Sequence, residues 1–335
     1  MSLESQVSYY NSFSEWSNAG SLKDSFLIFD NKLLDYLNTN FFIESFPNRY
    51  GVQSGEDLKN INNFPKHISN IVNQTSSLLI KASSLVVLGG GSVGDFGGFV
   101  ASTLKRGIDL IAVPTTWLAA IDSSHGGKNA LNVDGHKNQI GTFYAAKEVI
   151  IIKEILDTNN KSLETQAWGE AIKILLINNK LQRDGNLWNL LPSLVSEKYA
   201  WVAKDPLEAK GERKVLNFGH TLGHIVEARG EVAHGWAVGQ GLHFSLRWSQ
   251  VLNNIDLSNE ISLLESKIPF QKKQNGNDLA KLSEKVFIDS LLQDKKRVSS
   301  DNIDFVFLDK NKKPAVVSTA IKDIIKEATR QKWIV

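Results

Sequence analysis

Residues Leu85-Val-Val-Leu88 run directly into Gly89-Gly-Gly-Ser-Val-Gly-Asp95, and Phe-Gly-Gly-Phe-Val follows. A short run of Leu and Val predicts a buried strand. Gly-x-Gly-x-x-Gly after it predicts a tight turn into a helix. In that geometry backbone N–H groups at the helix N-terminus face an anion, and the glycines let a pyrophosphate approach closely. An ordinary strand-to-helix turn is the plainer alternative. Asp95 departs from a simple dinucleotide loop, because a carboxylate repels phosphates; it suits a sugar hydroxyl or the nicotinamide side of a cofactor better.

Similar apolar runs at 25–29, 110–113 and 149–152 predict further strands, with helical patterns at 67–81 and 98–104 between them. Short, continuous and rich in Val and Ile, these strands suit a parallel sheet covered on both faces, which is an α/β arrangement. After Leu156 the pattern changes. Helical periodicity fills 164–179, 216–228, 236–252, 278–293 and 319–331, and Phe305-Val-Phe-Leu308 is the main strand exception. The expectation is a Rossmann-like parallel-sheet domain over 1–158 and a mainly α-helical domain over 159–335.

The 335 residues, 42% hydrophobic and 22% charged, can supply a core for each domain. A net charge of +2 argues against nucleic-acid or membrane partners. The first ten residues lack a basic n-region and an apolar core, and no apolar run nears the roughly 20 residues that span a bilayer, so a cytoplasmic protein is expected. Cysteine is absent, so a metal must rest on His, Asp or Glu.

Arg213, Asn217, His220 and His224 are spaced four, three and four apart. A helix turning about 100° per residue gathers all four within a sector of roughly 60°, a face that suits a polar, water-poor cleft. His220 and His224 read as a candidate two-histidine clamp, with His234 a further ligand candidate. Glu170 shares its predicted helical face with Lys173, which for an isolated pair suggests a simple surface ion pair. Spacing alone leaves open which imidazole binds metal. In the first half, Gly55-Glu-Asp-Leu-Lys59 offers Glu56 and Lys59 to a ribose and phosphate. The stretch from Ile121 to Asn138 reads as a long Gly/Asn/Lys-rich loop. In it Asp122 offers an acceptor, and Lys128, Lys137 and Asn138 offer donors to a phosphate or polyol.

Taken in order, these segments resemble the 3-dehydroquinate synthase family of sugar-phosphate cyclases from about Gly55 to Lys296. The carrying motifs are Gly-Gly-Gly-x-x-Gly-Asp at 89–95, Arg106-Gly107, Pro-Thr-Thr at 114–116 and Asp-Ser-Ser-x-Gly-Gly-Lys at 122–128. Further on stand Lys-Asn at 137–138, Glu-x-x-Lys at 170–173, Leu-Asn-Phe-Gly-His-Thr-x-Gly-His at 216–224, His-Gly at 234–235 and Asp-Lys-Lys at 294–296. The resemblance implies a metal held by Glu170, His220 and His234, with Zn2+ foremost and Co2+ the alternative. It implies NAD+ bound by Gly89, Gly90, Gly91, Ser92, Val93, Gly94 and Asp95, with Glu56, Lys59, Thr115, Thr116, Asp122 and Lys137 also assigned to the cofactor. Substrate and catalytic positions would be Asp122, Lys128, Asn138, Lys173, Lys198, Arg213, Asn217 and His224. Arg106 would reach the phosphate from a partner subunit, which implies a homodimer.

The implied substrate is 3-deoxy-D-arabino-heptulosonate 7-phosphate. Lys198 and Arg213 would hold its carboxylate; Lys128, Asn138, Asn217, His224 and Arg106 its phosphate. The implied chemistry, a step of the shikimate pathway to aromatic amino acids, is transient oxidation by NAD+, β-elimination of phosphate, re-reduction and aldol closure to 3-dehydroquinate. Alternatives are a cyclase of the epi-valiolone or deoxy-inosose type, a metal-dependent polyol dehydrogenase, and a non-catalytic homologue. Four features depart from the family pattern. Trp236 replaces a Glu, His125 replaces a small aliphatic residue, Glu208 is shifted by one residue, and Arg297 follows Asp-Lys-Lys where glycine is usual.

Overall fold

The computed structural model describes residues 3–19, 25–39, 46–75, 84–228, 232–268, 273–274, 277–278, 283–292 and 301–334. The chain packs as two compact units, Met1–Leu163 with Lys198–Leu207, and Glu164–Glu197 with Glu208–Val335. A single boundary near Thr158 does not describe the return of Lys198–Leu207 to the first unit.

In the first unit, strands β1 (Gln6–Tyr10), β2 (Phe26–Asp30), β3 (Arg49–Val52), β4 (Ser84–Gly89) and β5 (Asp109–Pro114) precede a hairpin, β6 (Lys128–Val133) and β7 (His136–Phe143). Then comes β8 (Glu148–Ile152). Six strands form one sheet in the order β1-β8-β5-β4-β2-β3, and every pairing in it is parallel. The four apolar runs are its interior strands; β2, β4 and β8 are buried along nearly their whole length, and β5 at Leu110, Val113 and Pro114. The two edges, Gln-Val-Ser-Tyr-Tyr and Arg-Tyr-Gly-Val, carry polar residues and so left no continuous apolar signal.

Helices α1 (Phe13–Ala19), α2 (Leu34–Thr39), α3 (Phe64–Thr75), α4 (Gly91–Thr103) and α5 (Lys153–Leu156) accompany the sheet. Residues 76–81 of the expected 67–81 helix lie outside the described residues. Helix α4 starts earlier than the 98–104 pattern suggested, because the glycine loop itself forms its first turns. A Cβ on Gly97 would lie 2.4 Å from Val87 Cγ2, so α4 rests on β4 only because that atom is missing. The expected loop over 121–138 is corrected by the structure. Its second half is the β6–β7 hairpin, turned by Asp134 and Gly135 at φ 49° and 80°, the left-handed pair that a tight hairpin needs.

Helix α6 (Lys161–Ile177) leads into the second unit, and α7 (Leu187–Lys204) returns from it to the first. Then come a 3-10 turn (Glu212–Asn217), α8 (His220–Ala228), α9 (His234–Asn253) and α10 (Ser258–Lys267). The two-residue pair β9 (Lys273–Gln274) and β10 (Asn277–Asp278) is followed by α11 (Glu284–Leu292), the antiparallel hairpin β11 (Asn302–Leu308) with β12 (Pro314–Ala320), and α12 (Ile321–Arg330). The expected helix over 278–293 is shorter at its start, since Asn277–Asp278 pair as strand. Residues 294–297, including the Asp-Lys-Lys motif and Arg297, lie outside the described residues. Phe244, Trp248, Phe287, Phe305, Phe307 and Trp333 form the aromatic centre of this unit's core.

One expectation fails outright. Arg213, Asn217, His220 and His224 do not share a helical face. The 3-10 turn ends at Asn217, Phe218 is extended (ψ 127°), Gly219 is left-handed (φ 78°), and α8 begins at His220. The physical reason is crowding. A Cβ on Gly219 would lie 2.9 Å from both the Leu242 nitrogen and the Val238 carbonyl of α9, so the chain turns there on glycine.

Replacing Gly97 by Ala forces a methyl into the β4 contact. Urea unfolding is expected to show a loss of about 1–3 kcal/mol. An unchanged midpoint would refute this account of how α4 is seated.

Candidate metal and nucleotide sites

Three elements of the second unit each deliver one candidate ligand beside a glycine. Glu170 follows Gly169 on α6, His220 follows Gly219 at the start of α8, and His234 precedes Gly235 at the start of α9. A Cβ on Gly169 would lie 1.9 Å from the Gly235 carbonyl, and one on Gly235 would lie 1.9 Å from the Gln166 carbonyl. Helix α6 and the start of α9 therefore meet backbone to backbone. Helices α8 and α9 meet the same way, with a Gly241 Cβ position 1.8 Å from the Gly219 carbonyl. These contacts bring one donor atom each from Glu170, His220 and His234 within 4.8 Å of one another.

The donor set fits a divalent cation. His220 Nε2 and His234 Nε2 stand 3.4 and 3.3 Å from the same oxygen, Glu170 Oε1. Yet both carboxylate oxygens, wholly buried, lack a well-directed hydrogen bond, although the Lys173 ammonium touches Oε2. On the outer side of each ring, Nδ1 faces an acceptor: the Phe218 carbonyl at 3.2 Å for His220, and Glu227 Oε2 at 2.8 Å for His234. Those acceptors assign the Nδ1 protons outward and turn both Nε2 atoms toward Glu170. Two nitrogen lone pairs and a carboxylate converging in a buried space call for positive charge between them.

Electrostatics agree. Burial opposes the charged form of Glu170, but Lys173 and His220 overcome it and hold its carboxyl well below the usual range. Burial keeps His220 below its ordinary value. Burial also opposes a charge on His234, yet Glu170 and Glu227 outweigh it and push this imidazole up to about 10. Without a metal, a proton on His234 supplies the positive charge.

His224 is outside the ligand cluster. It sits one turn after His220 with ring centroids 5.6 Å apart, and it is exposed. Lys173 is buried beside Glu170, rather than on a solvated face. Arg213 is buried, with Nε 3.6 Å from Glu208 Oε1, so the shifted glutamate still meets a cation. Asn217 ends the 3-10 turn, half-buried. Trp236 packs on the hydrophobic core with Ile225 and Val226. Two residues past His234, it lies about 200° round α9, directed away from the ligands. Glu227, which sequence reasoning did not single out, carries the carboxylate on His234; only its place on the turn after His224 hinted at a role.

In the first unit, Gly90 caps α4 without a side-chain hydrogen bond, so the first amides of this 13-residue helix remain available to an anion. A Cβ on Gly94 would meet nothing within 4 Å, which leaves the surface of this turn open to a phosphate; Gly89 instead packs on Val93. Ser92 Oγ accepts from the Gly55 amide at 3.0 Å. Lys59, buried, donates to Asp95 Oδ2 at 2.6 Å and to Asn138 Oδ1 at 2.7 Å. Burial raises the Asp95 carboxyl although Lys59 opposes it. Glu56 accepts from Asn132, the Thr115 amide donates to the Gly89 carbonyl, and Thr116 Oγ1 accepts from Ala119 N. Lys128 and Lys137 are exposed on the hairpin, and Asn138, also exposed, is left-handed (φ 55°). Lys198 Nζ donates to Asp122 Oδ1 at 2.8 Å and touches the Asp122 carbonyl. Arg106 is exposed on a turn where Lys105, Arg106 and Gly107 all have positive φ.

The fold is that of the sugar-phosphate cyclases. A 2-deoxy-scyllo-inosose synthase complexed with carbaglucose-6-phosphate, NAD+ and Co2+ superposes with a TM-score of 0.80 over 97% of this chain and 96% of its own, at 22% identity. A 2-epi-5-epi-valiolone synthase from Streptomyces hygroscopicus, with NAD+ and Zn2+ bound, gives 0.83 over 99% and 97%, at 15% identity. Within that fold, the chain belongs to the 3-dehydroquinate synthase family. Residues 49–166 match the 3-dehydroquinate synthase N-terminal profile and 157–297 the C-terminal profile. The 3-dehydroquinate synthase of Leptospira interrogans is 35% identical over 275 residues, 73% of this chain and 72% of that protein. That of Picrophilus torridus is 39% identical over 196 residues, 55% of this chain. Matches to the Picrophilus torridus and Clostridium botulinum proteins span 57% and 60% of those relatives.

Two predictions follow from the ligand geometry. His220→Ala is expected to abolish Zn2+ binding, His224→Ala to leave it intact, and Glu227→Gln to weaken it about tenfold or more, all read by competition with a chelating dye. Equal loss in both histidine variants would overturn the assignment. The second concerns pH. Charge on His234 stabilises the metal-free protein fully below pH 6.5, and this is lost as pH rises through about 10. Zn2+ uptake near pH 8 must displace that proton, so calorimetry in buffers of different ionisation enthalpy is expected to show about one proton released per ion.

Proposed function

We propose that this protein is a 3-dehydroquinate synthase, an NAD- and metal-dependent lyase that converts 3-deoxy-D-arabino-heptulosonate 7-phosphate to 3-dehydroquinate and phosphate. The observation that carries the reading is the convergence of His220 and the half-buried His234 on the wholly buried Glu170, in a chain of this family whose first unit also holds the open turn at Gly94. Zn2+ or Co2+ on those three residues would acidify a substrate hydroxyl, and NAD+ on the Gly89–Asp95 turn would take up a hydride and return it within one turnover.

The chain's own residues supply binding and charge. Lys173 holds Glu170 ionised as a ligand. Lys198 and Arg213 bind the substrate carboxylate, for which a guanidinium offers a two-pronged donor. Each already has an acidic companion, Asp122 and Glu208 respectively, which keeps the cation oriented before substrate arrives. The phosphate meets Lys128, Asn138, Asn217 and His224. Arg106, exposed on its left-handed turn, contributes to the phosphate site of a second copy in a homodimer. Lys59 sets Asp95 and Asn138 through one ammonium and so ties the cofactor turn to the hairpin. In the net reaction no electrons are gained or lost: the C–O bond to phosphate breaks and a ring C–C bond forms. Among the described residues no helix is long and apolar enough to cross a membrane, and the reading places the enzyme in the cytoplasm.

The test is phosphate release from the heptulosonate phosphate, with and without NAD+ and with a chelator. Release that needs both NAD+ and metal, without net NADH, is the expected result. Steady NADH accumulation would make the protein a polyol dehydrogenase. Release from glucose 6-phosphate alone would make it an inosose-type cyclase, release from a heptulose 7-phosphate without the carboxylate an epi-valiolone-type cyclase, and no release from any of the three a non-catalytic binder.

A further inference from the structure

His125 stands at a position where the family pattern has a small aliphatic residue, and the structure gives the imidazole two polar partners in a wholly buried place. Nε2 is 2.8 Å from the Ala120 carbonyl, so it carries the proton and donates. The neutral ring then presents Nδ1 as an acceptor to the Tyr199 hydroxyl at 3.0 Å. The two rings meet edge to face, 5.3 Å apart. The His125 amide donates to the Asp122 carbonyl at 3.1 Å, the same carbonyl that the Lys198 ammonium touches.

Tyr199 directly follows Lys198 on α7. Two consecutive residues of one helix therefore grip two points of a single turn. Lys198 takes Asp122, and Tyr199 takes His125, which in turn holds Ala120. The gripped segment, Ala119–Ser123, is wound as one π-type turn, a rare conformation found mostly as single turns. The groups facing the ring are the Tyr199 phenol, the Lys198 ammonium and the Asp122 carboxylate. Burial first, and then Lys198, keep the imidazole neutral, with its pKa down at about 4.

We propose that His125 and Tyr199 are positioning residues that hold the Lys198–Asp122 pair in register for the substrate carboxylate. This rests on the reading of Lys198 as a carboxylate-binding residue. A small aliphatic side chain could fill the volume but could not connect Tyr199 to the Ala120 carbonyl. The pair is thus this chain's own way of fixing a lysine that the chemistry needs in one place.

The experiment compares the full-length protein with Tyr199→Phe, which removes only the hydroxyl, and with His125→Gln, which keeps an amide donor and acceptor. Histidine 15N NMR of the native protein is expected to show a neutral Nε2–H ring from pH 8 down to about pH 5. The Lys198 Nζ resonance is expected to be sharp in the native protein and broadened in Tyr199→Phe. In turnover assays KM for the heptulosonate phosphate is expected to rise about three- to tenfold in Tyr199→Phe and less in His125→Gln, with kcat and NAD+ affinity within about twofold in both. A protonated or Nδ1–H ring at pH 7, or a Lys198 signal unmoved by Tyr199→Phe, overturns the latch. A Lys198 signal that moves while KM does not overturns the lysine's role in carboxylate binding. Should the native protein release no phosphate, the functional reading falls on its own assay, and the NMR still judges the latch.

Discussion

The second unit depends on backbone-to-backbone contact among α6, α8 and α9. Gly169 against Gly235, and Gly241 against Gly219, allow approaches that any Cβ would block by an ångström or more. Glu170, His220 and His234 are each the immediate neighbour of one of these glycines. A helix pair held apart by ordinary side chains keeps its axes some 8–10 Å apart. Here the closer approach lets a short glutamate on one helix meet imidazoles at the first residues of two others.

That closeness creates an electrostatic problem, which the remaining residues resolve. A carboxylate with no exposed surface is costly unless it is matched by positive charge. Lys173 supplies part of the match at Oε2, and Oε1 is left to the two imidazoles. Glu227 then makes His234 the more basic of the two rings, so the place that suits a metal also suits a proton. In the first unit the same logic runs through ammonium groups. Lys59 is shared by Asp95 and Asn138, and Lys198 is held by Asp122, so each buried cation arrives already oriented. Neutral His125 adds a connection without adding a charge.

Much of this was legible in the residues. The four interior strands announced themselves because both faces of a parallel sheet are buried, and the glycine loop marked the start of α4. The edge strands were silent because they carry polar side chains. The 121–138 segment reads as a loop because Lys, Asn and Gly suit exposed chain. Its Asp134-Gly135 step is nevertheless a hairpin signal, and it is the turn between β6 and β7. The expected stripe from Arg213 to His224 failed because helical periodicity assumes an unbroken helix. A glycine that must turn left-handed beneath α9 ends one helical segment and starts another.

The sequence by itself determined the donor set and the order of the elements. Glutamate, two histidines and lysine at fixed separations define what chemistry is available, and strand-loop-helix order defines the sheet that carries the glycine turn. Only the tertiary structure decided the partnerships. It set His234, and not His224, against Glu170, laid the half-buried Trp236 against the edge of the core, and brought Glu227 to the outer nitrogen of His234. The physical reason is that spacing along one helix reports only which residues share a face. Which face meets which neighbour, and how closely, is fixed by packing between segments far apart in the chain.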